Sequence, residues 1–166
     1  MPTTSLQQVK EAAAKVAELL GNPQAGKKFS DEWDAQLGRI APNASEKPVS
    51  VYFEIWDTPA QAAGDSSFIG EIIHQAGGRN IYTGQGDYPV VNPESLIKED
   101  PEVILLSYPV TSLENMKKRP GWSALRAIKG NHLYALDQDL FVRPGPRNLT
   151  AVNRLHEIFK KVRSNE

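Results

Sequence analysis

The chain contains no cysteine, so it forms no disulfide, binds no metal through thiolates and offers no thiol nucleophile. Net charge is nearly absent as well. Nineteen Lys and Arg stand against 20 Asp and Glu, a formal −1, and no long-range field draws the protein to nucleic acid or to an anionic membrane surface. No apolar run approaches the roughly 18 residues of a membrane span; the densest is Val103 to Leu106. The opening MPTTSLQQVKEAAAKVAELL lacks a basic segment ahead of an apolar core and a lipidation cysteine, so no signal peptide is expected in this chain. Catalytic motifs are missing too. Despite Gly77, Gly78, Gly84 and Gly86, neither G-x-G-x-x-G after a strand nor G-x-x-x-x-G-K-[ST] occurs, and no serine sits in a G-x-S-x-G elbow. His74, His132 and His156 fall on three different predicted elements, without the spacing that presents paired imidazoles to a metal. These absences argue against an enzyme, a protein-held metal cluster and any intrinsic cofactor.

What remains is an ordinary globular composition: 166 residues, 40% hydrophobic and 23% charged, enough for one cored domain or for one domain with a helical arm. Leu6, Val9, Ala13, Val16, Ala17 and Leu20 form a helical stripe that Thr4 or Ser5 can cap and Gly21 can end. Asn22 and Pro23 repeat the start signal, and Ala25, Phe29, Trp33, Leu37 and Ile40 predict a second helix to about Ala41. Pro42, Asn43, Ser45 and Pro48 then break the pattern, placing a boundary between a helical arm, 1–47, and a lobe, 48–166.

The lobe alternates. VSVYFEIW from Val49 predicts a buried strand, and Ser66 or Ser67 caps a helix through Ala76 that Gly77 and Gly78 stop. Asn80 to Tyr82 suits a short strand, and NPESL starts a capped helix. Val103 to Leu106 predicts a strand covered on both faces. Thr111 to Lys117 and Trp122 to Ile128 read as helical turns, His132 to Leu136 as a strand, and Asn148 to Val162 as the last helix. Strands alternating with helices mean an α/β fold with a largely parallel central sheet.

Ligands of open α/β sheets bind beyond the strand C-termini, and large flat side chains gather there in this sequence. Trp56 follows the first strand, Tyr88 lies in the GDYP loop, Tyr108 follows Val103 to Leu106, and Phe141 with Arg143 follows the last strand in QDLFVRPGPR. Aromatic walls with one guanidinium suit a large, partly apolar ligand carrying anionic or amide groups. Core packing is the competing explanation for Trp56, Tyr88 and Phe141, and an ion pair with Asp137 or Asp139 is the competing one for Arg143.

The segments SSFIGEIIHQAGGRNIY, YPVVNPESLIKEDPEVILLS, PGWSALRAIKGNHLYALD and RPGPR, in that order, resemble the class III substrate-binding proteins of ABC importers for cobalamin, ferric siderophores and haem. SLQQVKEAAAKVAELLG resembles the stretch leading into the interdomain helix of those proteins. The resemblance implies a Rossmann-like α/β lobe preceded by connecting helices, with the family's other lobe missing and half of the ligand cleft with it. It implies an extracytoplasmic parent that delivers a metal chelate, a corrinoid ahead of a ferric siderophore or haem, to a membrane permease. Residue by residue, it implies a cleft aromatic at Tyr88, cleft positions at Arg143 and Trp56, and at Glu94 the acid that docks on arginines of the permease. A Glu in a first helical turn also compensates the helix terminus, so that explanation of Glu94 stands beside docking. Apolar surface uncovered by a missing lobe would favour a homo-oligomer or a self-associating module with no ligand of its own.

Overall fold

The computed structural model describes residues 5–40, 46–110 and 112–164. Helix α1 (Leu6–Leu19) is capped by Ser5, whose Oγ accepts from the Gln8 amide at 3.2 Å. Thr4, the other candidate cap, lies outside the described residues. Helix α2 (Pro23–Ile40) starts where Asn22 Oδ1 accepts from the Ala25 amide at 3.1 Å. The two helices touch where α2 has no side chain: a Cβ at Gly26 would stand 2.8 Å from the Ala14 carbonyl oxygen. The expected helix end at Ala41 and the break through Pro42, Asn43 and Ser45 fall on residues that are not described.

Five strands make one sheet. β1 (Val49–Asp57) is central, with β4 (Val103–Leu106) parallel along one edge and β5 (Leu133–Ala135) parallel beyond it. Its other edge is shared. β3 (Gly78–Asn80) pairs in parallel with Val49 to Val51, and β2 (Ala60–Ala62) folds back antiparallel on Glu54 to Asp57 across a bulge. The chain therefore leaves β1 through α3 (Phe68–Gln75) to one side and returns on the other side as β4, through α4 (Pro93–Glu99). Such a reversal of strand order opens a crevice at the carboxyl ends of β1 and β4.

Alternation along the strands separates two hydrophobic cores. Val49, Val51, Phe53, Val103 and Leu105 face a layer containing α3 and α8 (Asn148–Ser164), and Leu6, Val9, Trp33 and Ile40 of the first two helices join that same core. Tyr52, Ile104 and Leu106 face Leu96 of α4, Trp122 in a 3₁₀ turn (Trp122–Ala124) and Ala127 of α6 (Arg126–Lys129). Helices cover both faces of a mainly parallel sheet, the expected α/β lobe.

Three local expectations shift. The strand expected over Asn80 to Tyr82 lies two residues earlier. Asn80 ends it by donating from Nδ2 to the Ala63 carbonyl, 2.9 Å, and accepting the Tyr82 amide on Oδ1, 3.0 Å. The hairpin strand β2 was not expected, because Ala60–Ala62 follows a proline and is too short to show a period. QDLFV, expected as loop, is helix α7 (Gln138–Val142), started by Asp137, whose Oδ1 accepts from the Asp139 amide at 3.0 Å. Helix α5 (Leu113–Lys117) begins after Thr111, which is not described.

Candidate functional site

Parallel pairing sends the carboxyl ends of β1, β4 and β5 to one edge of the sheet, and most of the expected contact residues follow from that. Trp56 is 51% exposed on the last turn of β1, its indole N–H donating to the Thr58 carbonyl at 3.0 Å. It pairs with Gln61, and Gln61 bridges to Val90, so the loop carrying Tyr88 runs alongside the Trp56 hairpin. That loop is pinned by backbone bonds from Ala62 to Pro89, 3.0 Å, from Gly64 to Asp87, 2.7 Å, and from Val91 to Ala60, 2.8 Å. Gly64 has to be glycine for this approach, since a Cβ there would lie 1.9 Å from the Gly86 carbonyl oxygen. Tyr88 is 51% exposed, and partial burial with the nearby Asp87 raises its phenol above the ordinary value. The structure thus brings Trp56 and Tyr88 to one exposed margin.

The other expected residues are placed differently. Tyr108 is buried, its hydroxyl donating to Glu54, so it is not an open wall of the site. Phe141 is corrected: its ring is wholly buried in the core, 5.5 Å from the ring of Phe53, because α7 turns it inward where a loop had been expected. Arg143 follows α7 with its side chain 77% exposed and pairs with Asp139 at 3.2 Å, one of the two partners read from the sequence. Glu94 is exposed in the first turn of α4, its amide bound by Asn92 Oδ1 at 2.9 Å.

The most constrained group in this region was not singled out from the sequence. Glu54, with no exposed surface, accepts hydrogen bonds from the hydroxyls of Tyr52 and Tyr108. Arg119 Nη1 donates to both its carboxylate oxygens, at 2.7 and 2.9 Å, and Arg119 Nη2 donates to the Tyr108 oxygen at 3.1 Å. The guanidinium also lies 4.8 Å from the centre of the Trp122 ring. Burial and the Glu54 charge push the Tyr52 phenol far above its ordinary value, and burial with the Glu54 hydrogen bond raises that of Tyr108. Burial opposes the charge on Arg119, yet Glu54 and Tyr108 hold it above its ordinary range. One signal was legible: a carboxylate in the middle of the apolar run VSVYFEIW is almost never buried unless paired. Its partner stands 65 residues away, where no local pattern links the two.

Tyr52, Glu54, Arg119 and Trp122 of this network wall an open cavity of about 260 Å³ at the carboxyl end of β1, between the β1–β2 hairpin, the first turn of α4 and the Arg119–Trp122 turn. Asp57 lines it too, and so do Val91 and Leu96. Among the described residues, no group of three or more His, Asp or Glu side chains could hold a metal ion, and no helix is long and apolar enough to cross a membrane. The histidines have separate neighbours: His74 meets Asp65, His132 faces the Glu102 carbonyl and His156 the Ala76 carbonyl.

A model of the periplasmic binding protein family matches residues 1–140. The chain is 27% identical over 164 residues to the vitamin B12-binding protein of Vibrio campbellii, covering 97% of this chain and 59% of that protein. It is 26% identical over 152 residues to an uncharacterized ABC transporter substrate-binding lipoprotein of Bacillus subtilis, covering 86% and 48%. Among solved structures, the periplasmic heme-binding protein RhuT of Roseiflexus sp. RS-1 superposes with a TM-score of 0.83 at 25% identity over 95% of this chain and 64% of that one. The periplasmic vitamin B12-binding protein BtuF of Vibrio cholerae gives 0.82 at 24% identity, over 97% and 64%, a likeness of fold. The chain therefore spans 59% or less of the length of these curated relatives.

Proposed function

The chain belongs to the periplasmic binding protein family, and on that premise we propose that it is the C-terminal lobe of a solute-capturing protein serving an ABC importer. Its relatives are solute-binding proteins, not enzymes. In this reading residues 48–166 form one wall of a ligand cleft and residues 1–47 are the connecting helices. The solute is a metal chelate, a corrinoid first and haem or a ferric siderophore next, bound outside the cytoplasm and passed to a membrane permease. The observation that carries the reading is the exposed pair Trp56 and Tyr88 on one pinned margin beyond the carboxyl end of a parallel sheet. Flat aromatic surface at that position suits a macrocycle or chelate that stacks and exposes amides or carboxylates at its rim. Vitamin B12-binding and heme-binding proteins among the relatives support the same class. Trp56 and Tyr88 make the primary contacts, Arg143 a peripheral one, and Glu94, exposed on α4 beside the cavity, is the permease contact.

The test is a titration of cyanocobalamin, haem and a ferric siderophore into the chain, followed by calorimetry and tryptophan fluorescence. Saturable binding of one chelate is expected, weak because one wall supplies only part of the burial, and reduced about tenfold or more in the Trp56→Ala, Tyr88→Ala pair. Binding of no chelate, or unchanged binding in that variant, overturns the reading. Glu94→Lys should leave the titration unaltered and reduce capture of the chain by its permease; undiminished capture removes Glu94 from that role.

A further inference from the structure

We propose that the cavity between the β1–β2 hairpin, the first turn of α4 and the Arg119–Trp122 turn is a subsite for a primary carboxamide. It lies at the point where the strand order reverses between β1 and β4, where an open α/β sheet has room for a ligand group. At about 260 Å³ it admits a side chain but not a chelate.

The polarity of its wall selects the group. Arg119 cannot swing away, because Glu54, Tyr108 and the Trp122 ring hold its guanidinium from three directions. Of its five N–H donors, Nε and the second Nη2 hydrogen have no acceptor among the described residues. The Asp57 carboxylate lines the same cavity, has no hydrogen-bond or ion-pair partner among the described residues, and is not paired with Arg119. The cavity therefore offers fixed donors and a separate free acceptor, between apolar walls of Val91, Leu96 and Trp122. Charge and hydrogen-bond polarity together decide which ligand group fits. Glu54 already neutralises Arg119, so Asp57 leaves the wall net negative and a carboxylate meets repulsion, while an ammonium, which has no acceptor, leaves the remaining Arg119 N–H donors unsatisfied. A neutral group that accepts through a carbonyl and donates through an NH₂ satisfies both sides, and that group is a primary carboxamide. Resting on the chelate-binding reading above, a ligand held at the Trp56–Tyr88 margin reaches the cavity around the β1–β2 hairpin, whose Asp57 and Ala60 line it, and places a rim amide there. The same wall then discriminates against a chelate whose rim carries carboxylates.

The subsite can be tested without the chelate. Propionamide and propionate are titrated into the ¹⁵N-labelled chain, following the indole N–H signals of Trp122 and Trp33 and the Arg119 Nε–H signal. Propionamide should shift Trp122 and Arg119 saturably with a constant of about 1 mM to tens of mM, leaving Trp33, which is buried against the other face of the sheet, in place. Propionate should bind about tenfold more weakly or worse, and Asp57→Asn should narrow that gap. Ala60→Leu fills the cavity from the hairpin and should abolish the shifts while the Trp33 signal reports an intact fold. No shift at about 100 mM propionamide, far above the expected constant, equal binding of propionate, or full binding in Ala60→Leu overturns the proposal. If propionamide binds as expected while no corrinoid, haem or siderophore binds, the subsite stands and the chelate reading fails. If a chelate binds but propionamide does not shift these signals, the reading stands and the subsite fails.

Discussion

One sheet carries two faces of different chemistry. On the face that receives α1, α2, α3 and α8, the strands present Val49, Val51, Phe53, Val103 and Leu105, and they bury hydrocarbon against hydrocarbon. On the other face the same strands present Tyr52, Glu54, Ile104 and Leu106, and near their carboxyl ends the packing gives way to a carboxylate, two phenols and a guanidinium. A buried ion pair is weak evidence for stability, because desolvation offsets much of its attraction. Its value here is positional: four polar side chains from β1, the segment after β4 and the turn after α5 lock one another beside an open cavity. The hydrocarbon face holds the fold, and the polar face fixes the geometry of the site.

The largest effect is expected on the hydrocarbon face. Trp33→Ala empties a fully buried position through which α2 joins the lobe, and should lower unfolding free energy by about 3–5 kcal/mol in urea titration. A loss below about 1 kcal/mol, within the range of surface substitutions and small repacking, would mean that the first two helices are a loosely attached arm rather than part of the core. Arg119→Ala should follow at about 3 kcal/mol, since it leaves Glu54 buried without its charge partner. The fourfold change Glu54→Leu, Arg119→Met, Tyr52→Phe, Tyr108→Phe, which leaves neither phenol without its partner, should recover much of that loss in stability without restoring ligand discrimination. If the fourfold variant is as unstable as Arg119→Ala, the network is structural in the same sense as the hydrocarbon face and the contrast between the faces collapses.

The smallest effect concerns Tyr82, on the polar face, whose buried hydroxyl has no partner among the described residues. Burial first, with Glu54 and Glu99 adding repulsion, pushes its phenol up from 10.0 to about 12. The folded state therefore favours the neutral phenol. That contribution is fully present below the unfolded value and is lost as pH rises through about 12. Urea midpoints taken from pH 8 upward should fall less steeply in Tyr82→Phe than in the parent, and at neutral pH the variant should match the parent within about 1 kcal/mol. An identical alkaline fall in both would assign the effect to Tyr52 and Tyr108, whose phenols are raised as well.

Much of the architecture was legible because it follows local rules. Ser5, Ser67 and Asn92 cap helices as their positions before apolar stripes indicated. VSVYFEIW and Val103 to Leu106 became the paired central strands because their side chains suit burial on two faces. What escaped was short or long-range. Three residues of β2 carry no period, and the helix in QDLFV depends on Asp137 closing its first turn, which reversed the expected exposure of Phe141. Trp56 and Tyr88 could be placed at strand ends from sequence alone, whereas their shared margin needed the Gln61–Val90 bridge.

Composition, capping and the period of apolar residues, all set within a few turns of chain, determined an α/β lobe with helices on both sides and excluded thiol and highly charged chemistry. Which face of β1 would hold a carboxylate in place, and that Arg119, Trp122 and Asp57 would meet around one cavity, was decided by tertiary structure alone. Residues 65 apart are brought together by strand order and crossover connections, and the charge on Glu54 can be buried only after that pairing exists.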